Sequence, residues 1–198
     1  MLICIDGMDG AGKTSFSKIL CEQLKKREIF RELVLEAEPT PGKYGLLARE
    51  EIGKRIPDAR KTVDYLLRDR RDHCVGVLGP NLQVLGRCVL LDRYYYSTVC
   101  YQSGDEFSPQ QLADMQSEFC KPDISFILTL EPEVAMERIV ARGKPLDGYE
   151  TLDHLRRTKA NFSNMQVYFP EDNIIFLDAS KPLEELVNEA MDCIEKIS

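Results

Sequence analysis

The chain has 198 residues, which suits one domain with a full core, and its 26 basic against 33 acidic residues give a net charge of −7. That balance argues against a nucleic acid polymer as the main partner and leaves room for a small phosphorylated ligand served by local arginines. The seven cysteines are scattered without CxxC spacing, no segment reaches the length of a membrane span, and the first strand starts at the initiator methionine; together these read as a cytoplasmic protein with reduced core thiols, no membrane association and no signal peptide.

In chain order, LICID (2–6) is an apolar run suited to a buried strand. GMDGAGKT (7–14) follows, with Gly7, Gly10 and Gly12 letting backbone amides approach phosphate oxygens, Lys13 reaching terminal phosphates and the Thr14 hydroxyl available to Mg²⁺. SFSKILCEQLKK then has helical periodicity, with Phe16, Ile19, Leu20 and Leu24 on one face. Strand, glycine loop and helix N-terminus thus stand in the order that binds phosphate.

ELVLEA (32–37) predicts a second strand, and PTPGKYG a polar loop. TVDYLLRDRRDHCVGVL predicts a long helix and CVLLD (88–92) a third strand. That strand ends in Asp92, placed to hold a water on Mg²⁺, and Arg93 follows, able to clamp phosphate oxygens. Tyr95 and Tyr96 read as packing residues, while Tyr101 and Gln102, about two helical turns after Arg93, can face the same cleft. A helix opens at Ser108 with Pro109 in its first turn, ISFILTL (124–130) predicts a strand, another helix opens with Pro132, RGKPLDGYE reads as a glycine-bearing loop, and NIIFLDA (173–179) closes the set. Apolar strands alternating with helices predict a doubly wound α/β domain over 1–198, with a parallel sheet buried on both faces and ligands gathered at the carboxyl ends of the strands.

With these residues in view, the chain resembles thymidylate kinase, a family of P-loop nucleoside monophosphate kinases. The resemblance is carried by GMDGAGKT, the EPT segment, LLRDRRDH, DRYYYSTVCYQ, KPDISFILTL, ARGKPLDGYE and FLDASKPLEEL, spread over essentially the entire chain. It implies a five-stranded parallel sheet with helices on both faces, a lid loop at about 142–150, and transfer of phosphate from MgATP to dTMP, giving dTDP and ADP in a homodimer. Implied catalytic groups are Lys13, Arg93 and Arg142. Gly7, Met8, Asp9, Gly10, Ala11, Gly12, Lys13, Thr14 and Lys144 would hold the donor, and Thr14 and Asp92 the metal. Asp9, Lys43, Leu66, Arg70, Arg93, Ser97, Thr98, Tyr101 and Gln102 would form the acceptor site, with Arg70 on the thymine O4 and Tyr101 beneath the deoxyribose. Because position 10 is glycine, the chain is similar to members that carry their catalytic cations in the lid, here Arg142 and Lys144.

Three departures stand out. Ala37 precedes Glu38 where the family commonly has arginine, with Lys43 or Arg49 as candidate replacements; Leu66 occupies the place of a stacking aromatic ring; and Asp147, Gly148, Tyr149 and Glu150 lack a lid arginine. They leave open a kinase for another deoxynucleotide or a deoxynucleoside. A nucleotide-dependent switch is the reading from another class, and the chain contains no N-K-x-D segment of the kind that guanine switches use.

Overall fold

A computed structural model of the chain describes residues 1–143, 145–146 and 148–198. In chain order these form β1 (Leu2–Gly7), α1 (Lys13–Lys26), β2 (Glu32–Ala37), α2 (Lys43–Ile52), α3 (Ala59–His73), a π-helical turn (Cys74–Leu78), α4 (Gly79–Leu82), β3 (Arg87–Asp92), α5 (Tyr95–Gln102), α6 (Pro109–Asp114), β4 (Ile124–Thr129), α7 (Pro132–Ala141), α8 (Leu152–Ser163), α9 (Met165–Tyr168), β5 (Ile174–Asp178) and α10 (Leu183–Glu195). The strands pair in parallel in the order β2-β3-β1-β4-β5, with helices on both faces.

β1 is central and wholly buried, so its unbroken apolar run is the sequence image of a strand covered on both sides. The expectation of burial on both faces does not extend to the rims. β2 and β5 end the sheet and cover only part of their surface, leaving Leu35 53% and Phe176 41% exposed. The helices add their apolar stripes: Phe16, Leu20 and Leu24 of α1 are buried, with Phe16 edge-on to Phe126 of β4 at 6.3 Å. Leu186, Val187, Ala190, Met191 and Ile194 make the inner face of α10 at helical spacing. Each Leu, Val, Ile, Met or Phe side chain so buried contributes roughly 1.5–3 kcal/mol.

The predicted helix starts and stops have visible causes. Ser108 caps α6 in a reciprocal box with Gln111, and Pro109 and Pro132 occupy first turns where no amide partner is needed. The long helix expected through 62–78 is α3 followed by the π-helical turn, and Asp58 caps it by accepting from the Lys61 amide at 3.1 Å.

Parallel strands send their carboxyl ends the same way, and the sheet order fixes what meets there. Ile5 is in register with Asp92 and Gly7 with Leu128, so the segments leaving β1 and β3 emerge side by side.

Candidate active site

The glycine loop leaves β1 on a backbone that only glycine accepts at its tightest points. Gly7 has φ +139°, and a Cβ there would lie 2.4 Å from the Leu128 carbonyl oxygen. At Gly10, φ +80°, a Cβ would lie 2.5 Å from the carbonyl oxygen of Ala135 in α7. A side chain cannot occupy position 10, so the cations near the loop come from elsewhere: Arg138 and Arg142, from α7 and its end, line the same cavity as the loop.

This cavity, of about 450 Å³, is bounded by Asp9, Gly10, Gly12, Lys13, Thr14, Ser15, Ala37, Glu38, Asp92, Arg93, Arg138 and Arg142. Gly7, Met8 and Ala11, expected at the donor, form the base of the loop rather than its lining. The Gly7 and Met8 carbonyls each accept from Lys13 Nζ at 2.9 Å. Burial first, and then the Arg93 guanidinium, push the Lys13 ammonium down to about 8 against the pull of Asp9, Asp6 and Asp92. Thr14 Oγ1 donates to Asp92 Oδ2 at 3.2 Å. The two expected metal-holding groups are therefore together, and their hard oxygens suit Mg²⁺.

A second cavity, of about 170 Å³, adjoins the first and is lined by Asp9, Glu38, Ile52, Leu66, Arg70, Arg93, Tyr94, Ser97, Thr98, Tyr101, Gln102 and Tyr149. Asp9, Glu38 and Arg93 border both. Arg93 Nη2 donates to Asp9 Oδ1, Arg93 Nη1 to Ser97 Oγ at 3.1 Å, and the guanidinium lies 5.4 Å from the centre of the Tyr101 ring. The Tyr101 hydroxyl accepts from the Asp9 amide at 2.8 Å and donates to Asp9 Oδ2 at 3.0 Å. Burial opposes ionisation of Asp9, but Arg93, Lys13 and Tyr101 outweigh it and hold the carboxyl well below the usual carboxylate range.

Arg70 lines this cavity from below and is almost wholly buried. Its Nε donates to Glu38 Oε2 at 2.8 Å, Nη1 to Gln116 Oε1 at 2.6 Å and Nη2 to Thr98 Oγ1 at 3.1 Å, while Tyr94 and Phe119 take its faces. Gln102 Oε1 accepts from the Tyr149 hydroxyl at 2.9 Å, which ties the segment at Tyr149, near the end of the expected lid, to α5. Leu66 is on the wall as expected.

Other expectations are corrected. Lys43 lines neither cavity: its ammonium lies over the ring of Tyr44, 5.2 Å from the centre. Arg49 is no substitute for the missing arginine before Glu38 either, because its guanidinium donates to the carbonyls of Pro39 and Thr40 and so props up the EPT segment. Arg142 lines the glycine-loop cavity and pairs with Glu150. Lys144 and Asp147 lie outside the described residues. Tyr95 and Tyr96 are packing residues, as read: both hydroxyls donate to Asp172 Oδ2 at 2.6 Å, and Tyr95 stacks on Phe169.

The residue that sequence reasoning missed is Asp6. Fully buried at the end of β1, it accepts from the amides of Gly7, Tyr94 and Ser97 and from the Ser97 hydroxyl, at 2.8, 3.2, 2.9 and 2.6 Å. It thereby caps α5 from another strand and fixes the helix that carries Ser97, Thr98, Tyr101 and Gln102. Its signal was a carboxylate inside an otherwise apolar strand. Ser15, Ile52 and Arg138 were also missed, and no local pattern sets them apart from ordinary helix residues.

Comparison with known proteins agrees with this geometry. A family model described as thymidylate kinase matches residues 5–190. The chain is 35% identical to a "Probable thymidylate kinase" of Archaeoglobus fulgidus, over 98% of this chain and 95% of that protein. It is 35% identical to a thymidylate kinase of Xanthomonas campestris, over 96% and 81%, and 32% identical to one of Xylella fastidiosa, over 100% and 91%. A phosphate loop joined through Arg93 and Asp9 to a second, partly apolar cavity, and sequence similarity over almost the full length, lead to one conclusion: the chain belongs to the thymidylate kinase family.

Proposed function

We propose that the protein transfers the γ-phosphoryl group of MgATP to dTMP, giving dTDP and ADP. The observation that carries this reading is that Asp9 and Arg93 line both cavities, so a donor phosphate in the glycine loop and an acceptor phosphate in the neighbouring cavity meet at one guanidinium.

Phosphoryl transfer asks little covalent chemistry of a protein; it asks that two anions be held in line and that their charge be met. Lys13, Arg93, Arg138 and Arg142 supply positive charge around the phosphate cavity. Asp9 fixes Arg93 and the Tyr101 hydroxyl, which sets the guanidinium between donor and acceptor. Mg²⁺, when bound with ATP, supplies charge neutralisation and would be held by Thr14 and, through water, by Asp92. The acceptor phosphate is already an anion, so no general base is needed. The segment from 142 to 150 acts as the lid, excluding water that would otherwise intercept the phosphoryl group.

On the acceptor side, Tyr101 fills the space beneath the sugar and disfavours a 2′-hydroxyl, while Thr98, Gln102 and Arg70 read the pyrimidine edge and Leu66 packs on its face. An aliphatic wall in place of an aromatic ring makes the discrimination between dTMP and dUMP shallow. The reading includes a single domain, a cytoplasmic setting and a homodimer, the last tested by light scattering. Among the described residues no helix is long and apolar enough to cross a membrane.

The deciding experiment is kcat/KM with MgATP for dTMP, dUMP, dCMP, dGMP and thymidine. We expect dTMP first, dUMP next and dCMP poor, because the cytosine amino group leaves a buried donor unpaired at a cost of about 1–3 kcal/mol. A preference for dGMP, dCMP or thymidine overturns the assignment.

A further inference from the structure

Below the acceptor cavity, four side chains of alternating charge run from the edge of the sheet to the cavity wall. Glu36 Oε2, on the edge strand β2, is 3.4 Å from His73 Nε2, an ion-pair distance without hydrogen-bond geometry. His73 Nδ1 is 3.0 Å from Glu38 Oε1. Glu38 Oε2 in turn takes Arg70 Nε and Nη2, each at 2.8 Å, and Arg70 borders the cavity. The side chains of His73, Glu38 and Arg70 are no more than 3% exposed.

A neutral imidazole has one N–H, and a carboxylate only accepts. A neutral His73 satisfies Glu38 with a proton on Nδ1 and leaves Nε2 without a proton 3.4 Å from the Glu36 carboxylate. Only the imidazolium donates to Glu38 and at the same time sets a positive charge against Glu36. We propose that His73, as the imidazolium, is the positioning residue that holds Glu38 and, through it, the base-reading Arg70, so that recognition of the pyrimidine depends on a proton carried by a residue that touches no substrate. The proposal rests on the reading of Arg70 as a base contact.

The charged groups facing this ring are Glu36 and Glu38, from β2 and the segment after it, with Arg70 one turn earlier on α3; Tyr94, from the β3–α5 junction, stacks on Arg70 at 5.1 Å. Burial pushes the His73 imidazole down, but Glu38 and then Glu36 outweigh it, and the net direction is upward from the ordinary histidine value. As pH rises through that raised value the ring loses its positive charge: a proton kept on Nδ1 still bonds Glu38, but the bond is no longer charge-assisted, Nε2 stands bare beside Glu36, and Glu38 is held more weakly. Arg70 then holds the base less well. KM for dTMP rises by roughly tenfold, the scale of one hydrogen bond to a charged group, while kcat holds because no group at the reacting phosphates has changed.

The test is KM and kcat for dTMP and dCMP across roughly pH 6 to 9, in wild type, Glu36→Gln, His73→Gln and Arg70→Gln, with an NMR titration of the imidazoles alongside. Wild-type KM should inflect above the ordinary histidine value, at the pH where the His73 resonance titrates. Glu36→Gln, on the half-buried rim, should move both to lower pH and leave KM on the acid side unchanged. His73→Gln should give a raised KM flat with pH and a narrowed preference for dTMP over dCMP. If Arg70→Gln raises KM while the His73 and Glu36 variants keep the wild-type profile, the role of His73 is overturned and base reading by Arg70 stands. If Arg70→Gln leaves KM unchanged, both fall. Should His73→Gln fail to fold, an unmoved inflection in Glu36→Gln, or a His73 resonance titrating below the ordinary value, overturns the proposal.

Discussion

Arg93 has φ +66°, a left-handed conformation that costs a non-glycine residue about 1–3 kcal/mol and that packing must hold in place. Its amide donates to the Ile5 carbonyl at 2.8 Å, and its guanidinium is held by Asp9 and Ser97, so the charge is fixed before any ligand arrives. A preorganised donor of this kind acts mainly in the transition state. Arg93→Ala should therefore lower kcat by about 100-fold or more, with KM changed far less; a loss confined to KM in steady-state assays would instead mean that Arg93 binds ground and transition states alike. Lys13 gives a prediction with a sign. Burial and Arg93 put the unliganded ammonium at about 8, and a triphosphate beside it restores the proton. ATP affinity should fall as pH rises through that value, with proton uptake on binding near it. Titration calorimetry in buffers of different ionisation enthalpy reads this directly, and Lys13→Met should bind weakly with no such slope.

At the scale of elements, the site is a set of helix ends and strand ends held to one another by single residues. Asp6 joins β1 to α5, Gly10 lets the glycine loop lie against α7, and Tyr149 links the segment before α8 to Gln102. The Gly10 contact is with backbone, which cannot swing aside. Gly10→Ala should cost about 1–3 kcal/mol of stability in urea unfolding, from strained φ and displaced loop together. It should also weaken ATP binding, because the same displacement moves Lys13 and Thr14. An unchanged unfolding midpoint would mean that the loop and α7 are not seated on each other. The lid gives a second test at this scale. With ATP and dTMP both bound, the Arg142 segment should resist proteolysis more than with either alone, whereas equal cleavage in every state removes the lid assignment.

Across the whole molecule, stability should be graded outward from β1, which is paired on both sides and wholly buried, to β2 and β5, which end the sheet. Native-state hydrogen exchange should show β1 amides exchanging at least about tenfold more slowly than those of β2, whose outer edge has no strand beside it among the described residues. The same architecture decides what was legible beforehand. The strands and the helices α1, α3, α6 and α7 were readable because alternation of apolar runs with 3.6-residue stripes is a local property of the chain, and the phosphate loop because its glycines, lysine and threonine lie within eight residues, whereas PTPGKYG was read as a loop and α2 begins inside it at Lys43. That Asp92, Arg93 and Tyr101 would gather at the carboxyl end of the sheet was readable because one strand end and the helix after it carry them. What the sequence alone could not determine was the assignment of partners. That Arg49 serves two carbonyls, that Lys43 points elsewhere, that Arg138 lines the glycine-loop cavity and that Arg70 rests on Glu38 and His73 depend on which helix lies against which strand end. A charged side chain's role is set by its nearest opposite charge in space, and for these residues that neighbour lies on another element.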